Sequence, residues 1–303
     1  MNSTTYHIPV LLKETVDGLA IKPNGVYVDV TFGGGGHSKE ILSRLGPEGK
    51  LFGFDQDQDA HKNVLNDERF ELIPQNFRYL KRFLRLHGVK KVDGILGDFG
   101  VSSHQFDVAE RGFSTRFEAE LDMRMDRNAK ISAYEVINSY EEKAIANMLF
   151  QYGELRNAPK MARLIVAARQ NMPIKTSNQL KKILASCMIK RKEHKILAQI
   201  FQAIRIEVNQ EIQVLKEFLE QTKEVLNPGG RISLISYHSL EDRLVKRFIR
   251  NGMFSGEPEK DLYGRTSVPF KKIGGLIVPN ANEIAQNNRA RSAKLRIAER
   301  IED

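Results

Sequence analysis

Apolar and polar positions alternate along the first third of the chain in a way that predicts repeated βα units and a mostly parallel sheet. Short apolar runs at Val26 to Phe32, Lys50 to Asp55, Phe70 to Pro74 and Val92 to Asp98 read as four strands. Polar, amphipathic stretches separate them, the first a helix expected from Ser38 to Leu45 and stopped near Gly46-Pro47. From about Glu110 to Asn209 the strand signal disappears. Runs such as Glu141 to Gln151, Pro159 to Gln170 and Asn178 to Ile189 predict helices there instead. One long helix is expected over Gln202 to Leu226, because Ile204, Val208, Ile212, Leu215 and Leu219 recur at spacings of three or four. It should stop at Asn227-Pro228-Gly229-Gly230, and Arg231 to Tyr237 then reads as a fifth strand. Strands six and seven are expected within Ser267 to Val278, flanking Gly274-Gly275, and the tail from Asn282 as a basic helix or arm. The pattern as a whole predicts an α/β fold, a Rossmann-like sheet over residues 1–106 and 212–303 interrupted by an all-helical insert over 107–211.

Composition narrows the class. Of 303 residues, 41% are hydrophobic and 28% charged, which excludes a disordered or fibrous chain. No run approaches the roughly 18 apolar residues of a membrane span, and the first residues lack the basic and apolar regions of a signal peptide, so a cytoplasmic location is expected. Cys187 is the only cysteine, so neither an internal disulfide nor a cysteine-based zinc site can form. The excess of 47 basic over 38 acidic residues, a net charge of +9, favours a polyanionic partner. A monomer and a homodimer both fit this composition.

The candidate chemistry begins where the first strand runs into Gly33-Gly34-Gly35-Gly36. Glycines after a first strand let the backbone approach a ligand, because they carry no Cβ and tolerate positive φ. The dinucleotide fingerprint needs a third glycine where this chain has Ser38, which disfavours a nicotinamide oxidoreductase. Asp55, about 20 residues past Gly33 at the end of the second strand, is placed to accept the ribose hydroxyls of an adenosine. A short glycine loop with such an acid suits S-adenosylmethionine better than a pyrophosphate. Asp57 and Asp59 lack the glycine and distal glutamate of a calcium loop, and no metal is expected. Leu96-Gly97-Asp98-Phe99-Gly100 closes the fourth strand, where open α/β sheets place their ligands. Asp98 is the candidate acceptor near a transferred methyl group, with Ser102, Ser103 and Gln105 lining the loop beyond it.

Several long strings then carry a family resemblance. His7-Ile-Pro-Val-Leu-Leu, Asp29-Val-Thr-Phe-Gly-Gly-Gly-Gly-His37-Ser38, Asp98-Phe-Gly-Val-Ser-Ser-His-Gln105, Glu110-Arg-Gly-Phe-Ser114, Leu121-Asp-Met-Arg-Met-Asp126, Ser236-Tyr-His-Ser-Leu-Glu-Asp-Arg243 and Asn288-Arg-Ala-Arg-Ser-Ala-Lys-Leu-Arg296 closely resemble the MraW-like bacterial 16S ribosomal RNA cytosine-N4 methyltransferases. The resemblance implies a class I methyltransferase fold and S-adenosylmethionine-dependent methylation of a cytidine in the decoding, P-site region of the small-subunit RNA. The sequence alone leaves an RNA fragment and the assembled subunit both open as substrate, and the resemblance favours the assembled 30S subunit. Its cofactor contacts would fall on Gly35, Gly36, His37, Asp55, Phe77, Asp98 and Gln105. Where the family often carries His-Pro-Ala-Thr-Arg, this chain has His194-Lys-Ile-Leu-Ala-Gln, a departure in the insert.

Methyl transfer from a sulfonium to an amine requires positioning and exclusion of water. A carboxylate accepting an amino hydrogen would localise cytosine's delocalised lone pair, the role expected of Asp98. Tyr237 and His238 are candidates to stack on or hydrogen-bond the base. Attack at cytosine carbon 5 needs a cysteine nucleophile, and Cys187, within apolar Leu184-Ala-Ser-Cys-Met-Ile189, is poorly suited. Lys181, Lys182, Lys190, Arg191, Lys192 and Lys195 make the insert the expected RNA-recognition domain, with the arginine-rich tail beside it. A non-catalytic RNA-binding assembly factor with a vestigial pocket is the rival reading, and the intact glycine loop and Asp55 argue against it.

Overall fold

The computed structural model describes residues 9–258, 263 and 266–302. The chain divides into two compact units, one formed by residues 1–100 and 213–303, the other by 101–212.

The first unit is built on a seven-stranded sheet ordered β3-β2-β1-β4-β5-β7-β6. Its strands are β1 (Val26–Asp29), β2 (Lys50–Phe54), β3 (Phe70–Ile73), β4 (Val92–Asp98), β5 (Leu226–Ser236), β6 (Phe270–Ile277) and β7 (Lys294–Arg300). Pairs from β3 across to β5 are parallel, while β7 runs antiparallel between β5 and β6. Parallel strands covered on both faces need apolar residues on both, which is why β1 and β4 are buried nearly throughout. One face packs on α1 (Leu12–Gly18) and α2 (Gly36–Arg44) through Val16, Ile41 and Leu42. The other packs on α3 (Leu80–Leu86), on Leu215, Phe218 and Leu219 from residues 213–225, and on α11 (Ser239–Asn251). The order reverses between β1 and β4, so the crevice beyond their C-terminal ends is the switch point at which such sheets bind ligands.

The second unit is helical. It contains α4 (Ser103–Asp107), α5 (Ala133–Ser139), α6 (Glu142–Gln151), α7 (Ala158–Asn171), α8 (Ser177–Leu184) and α9 (Glu193–Asn209) around a core that includes Ile145, Leu149, Met161, Ile165, Ile200 and Ile204. Local sequence sets several helix starts: Ser132 with Glu135, and Thr176 with Gln179, form reciprocal capping boxes. Cys187 is buried in this core.

Three expectations are corrected. The helix expected over Gln202 to Leu226 is two helices, α9 and α10 (Glu211–Val225), broken at Gln210 with φ 51°. Asn209 donates to the Met123 carbonyl and accepts from Met125 N–H, tying the end of α9 to that segment. The apolar spacing continues across the break, so periodicity alone could not reveal it. Ser267 to Val278 holds one strand, β6, that crosses Gly274 through a register shift, and β7 comes from the basic tail. In the tail, α12 (Ala281–Gln286) and a short turn precede β7, whose Leu295 and Ile297 are buried against α1 and Val10. Last, β5 begins at Leu226, before the Asn227-Pro228-Gly229-Gly230 stop, because β4 skips over that turn between Val92 and Gly94.

Candidate active site

The site is assembled from the loops that leave β1, β2, β4 and β5. Asp29 ends β1 fully buried, and its two oxygens accept from Thr31 N–H at 3.1 Å and from the Ser38 hydroxyl at 2.7 Å. Thr31 in turn accepts the Asp98 N–H at 2.7 Å through Oγ1. This chain of bonds fixes the glycine loop against the end of β4 across the switch point.

Within the loop the four glycines do different things. Gly33 has φ +50° and Gly35 +72°, a conformation other residues reach only with strain. A Cβ on Gly36 would stand 2.2 Å from Pro9 Cγ, so this glycine lets the N-terminal segment cross the start of α2. His37 is buried with Nε2 3.2 Å from the Val10 carbonyl oxygen, on the same crossing. A Cβ on Gly34 would meet nothing within 4 Å, and one on Gly33 only the Thr31 carbonyl at 3.8 Å. Gly33 and Gly34, rather than Gly36, therefore line the open cradle a ligand backbone contact needs. Gly33 and Gly34 belong to the glycine run that the sequence marks as the ligand loop, whereas Thr31 carries no such mark beyond Asp29-x-Thr31, a recognisable side-chain turn.

Asp55, at the end of β2, accepts Gly33 N–H at 2.8 Å on one oxygen and Asp57 N–H at 2.8 Å on the other. Each oxygen keeps a second lone pair for a hydroxyl. Burial raises its pKa to about 6 against these bonds, and the charges of Asp57 and Asp29 push the same way. Phe77 follows β3 half-buried, packed edge-on to Phe218 at 5.3 Å and tilted against Phe99 at 5.8 Å. Its ring is thus a wall shared by the core and the crevice.

Asp98 ends β4, and the Tyr237 hydroxyl donates to its Oδ1 at 2.8 Å. Its Oδ2 makes no hydrogen bond among the described residues. Burial raises Asp98 to about 6, opposed by His37 and the Tyr237 bond and reinforced by Asp29 and Glu241. Tyr237 is itself held well above its ordinary range by burial and by the Asp98 charge, so it stays a donor. Behind it, Glu241 is 3% exposed and accepts Tyr237 N–H at 2.9 Å and His238 N–H at 3.4 Å. His238 caps α11, accepting Glu241 N–H on Nδ1 at 3.4 Å. Its buried Nε2 lies 3.1 Å from Glu241 Oε1 but outside hydrogen-bond geometry. The geometry thus gives His238 a capping role, and Tyr237 the direct contact with Asp98.

Gln105 lies in the helical unit, where it closes a capping box with Ser102 at the start of α4. The described residues of the first unit bring together Gly35, Gly36, His37, Asp55, Phe77, Asp98, Tyr237 and His238. His7, in the first motif, lies outside the described residues. The arrangement is an open backbone cradle, an acid for paired hydroxyls, an apolar wall and a second acid with one oxygen unengaged.

Residues 4–301 match the model of the MraW methylase family. The chain is 70% identical over 296 residues to "Ribosomal RNA small subunit methyltransferase H" of Christiangramia forsetii, with 98% of each chain covered. It is 69% identical over 296 residues to the protein of the same name in Flavobacterium johnsoniae, again with 98% of each covered. Among solved structures, an rRNA methylase from Streptococcus thermophilus superposes with a TM-score of 0.42 at 13% identity, over 98% of this chain and 99% of that one.

Proposed function

The chain belongs to the MraW methylase family, and from that premise we propose that it transfers a methyl group from S-adenosylmethionine to the exocyclic N4 amine of a cytidine in the decoding region of 16S ribosomal RNA. The assembled 30S subunit is the substrate in this reading, and the helical unit is its RNA-recognition domain. The observation that carries the choice of atom is Asp98, an acid at the switch point with Oδ1 held by Tyr237 and Oδ2 without a hydrogen-bond partner among the described residues.

The residues fit the cofactor. Gly33 and Gly34 leave a cradle that a Cβ would fill, Asp55 has lone pairs for two ribose hydroxyls, and Phe77 offers an apolar edge for the adenine. Bound there, S-adenosylmethionine would supply an electrophilic methyl group on a sulfonium, whose S–C bond breaks to leave a neutral thioether.

What the chain supplies is orientation and a proton acceptor. Asp98 Oδ2 takes a hydrogen bond from one N4–H, which holds the amine and draws its lone pair out of conjugation with the ring. As the N–C bond forms, N4 gains the methyl group and gives up one proton, which Asp98 accepts. A carboxyl raised to about 6 is ionised at neutral pH and still basic enough for that transfer. Tyr237 holds the other oxygen and Glu241 holds the Tyr237 backbone, so both act as positioning residues. Cys187, buried in the helical unit, is unsuited to the covalent chemistry of carbon 5 methylation. Single-turnover methyl transfer to 30S subunits by Asp98→Asn tests the assignment: a rate near that of the unaltered enzyme removes Asp98 from the chemistry.

A further inference from the structure

One cavity of about 360 Å³ lies away from the crevice, between α11 and the outer strands β6 and β7. Its walls carry four cations, Lys246 and Arg250 from α11, Lys272 from β6 and Arg296 from β7, over an apolar floor of Ile249 and Phe270. Only Arg296 is neutralised, by a two-pronged pair with Asp242 at 2.7 and 3.2 Å. Arg250 spends its Nε on the Asn251 side chain at 2.8 Å. Among the described residues no carboxylate pairs with Lys246, Arg250 or Lys272.

Unpaired cations lining a concave surface cost self-repulsion that folding does not repay, so their use lies in an anionic partner. Their spacing around a floor of aliphatic and aromatic side chains suits a sugar-phosphate chain, with phosphates at the rim and apolar faces below. Lys246 lies eight residues beyond His238, about 12 Å along the axis of α11. A nucleotide whose base sits at Asp98 therefore cannot fill this groove, but the strand leading away from it can.

Resting on the ribosomal RNA reading above, we propose that the groove between α11 and the β6–β7 edge binds the phosphodiester backbone of the substrate RNA flanking the target nucleotide. The groove contributes affinity and no sequence choice.

The test uses the full chain, 30S subunits lacking the modification, and labelled S-adenosylmethionine. Lys246→Glu/Lys272→Glu reverses two rim charges. Gly275→Glu adds a carboxylate where a Cβ meets nothing within 4 Å and φ is ordinary, so it removes no packing. A Lys50→Glu/Lys90→Glu control makes the same charge change at exposed positions outside the groove, at the start of β2 and just before β4. The expected result is a KM for 30S subunits raised about tenfold or more in both groove variants. In the double variant, the slope of log(kcat/KM) against log[salt] should flatten by about 1 to 2. Cofactor affinity and melting temperature should stay at those of the unaltered protein, and the control should keep its slope. Groove variants that match the control in KM and slope would overturn the proposal while leaving the reaction assignment intact. Absence of methyl transfer by the unaltered protein would instead overturn the reading on which the groove rests.

Discussion

The Tyr237 hydroxyl donates to Asp98 Oδ1 at 2.8 Å, joining the ends of β5 and β4 across 139 residues of sequence. This bond stabilises the ionised carboxylate and leaves Oδ2 without a hydrogen bond among the described residues, the position the proposed function gives to the acceptor nitrogen. Removing it with Tyr237→Phe should raise the pKa of Asp98 further, because the bond opposes the upward effect of burial. At saturating S-adenosylmethionine the acidic limb of kcat, near pH 6 in the unaltered enzyme, should then move to higher pH. An unchanged limb with lowered kcat would give Tyr237 a steric role only.

Asp98→Asn keeps the shape of the side chain and removes the proposed proton acceptor. Turnover should fall by about 100-fold or more, while calorimetry finds the S-adenosylmethionine Kd within about tenfold of the unaltered value. Loss of cofactor binding in parallel would mean that Asp98 serves the cofactor rather than the amine.

Asp55 should make cofactor binding pH-dependent. Ribose hydroxyls donate to the ionised form, so protonation near pH 6 competes with the ligand. Titrations at pH 7.5 and 5 should show Kd rising as pH falls, by about tenfold per unit below 6 for a single linked proton. Asp55→Asn should bind weakly at both values.

Asp29 links pH to stability with the opposite sign from an ion-paired acid. Its folded pKa of about 6 stands above the 3.8 of an ordinary aspartate, so the folded state binds the proton more tightly. Its contribution is full below about pH 4 and is lost as pH rises through 6. Asn at this position carries no charge to desolvate. Denaturant unfolding of Asp29→Asn at pH 5 and 7.5 should therefore show a smaller loss of stability with rising pH than the unaltered protein.

The glycine loop separates folding from binding. Gly36→Ala drives a methyl group into Pro9 and should lower stability by about 1–3 kcal/mol. Gly34→Ala meets no atom within 4 Å, so melting should hardly change while cofactor affinity falls. Thermal melts and calorimetry on the two variants check this contrast.

Much of this was legible in the chain itself. Strands buried on both faces are short apolar runs, so β1, β2 and β4 stand out, and an acid at the end of a strand marks a ligand position in an open sheet. What stayed hidden was pairing across long separations. Lys294-Leu-Arg-Ile has the alternation of a strand, but its arginines read as a nucleic-acid tail until β5 and β6 are seen on either side. Gly36 and His37 are ligand contacts only by family resemblance, and nothing local in the sequence shows that the Pro9–Val10 segment also packs on them. Glu241, three residues past His238, had the spacing of a capping box, yet only the fold shows that it also holds the Tyr237 backbone.

The most direct test is methyl transfer from labelled S-adenosylmethionine to 30S subunits from cells lacking this enzyme, followed by nucleoside mass spectrometry of the 16S RNA. Label in N4-methylcytidine at a decoding-region position is the predicted result. Label in 5-methylcytidine or another nucleoside, or no label despite bound cofactor, would contradict it.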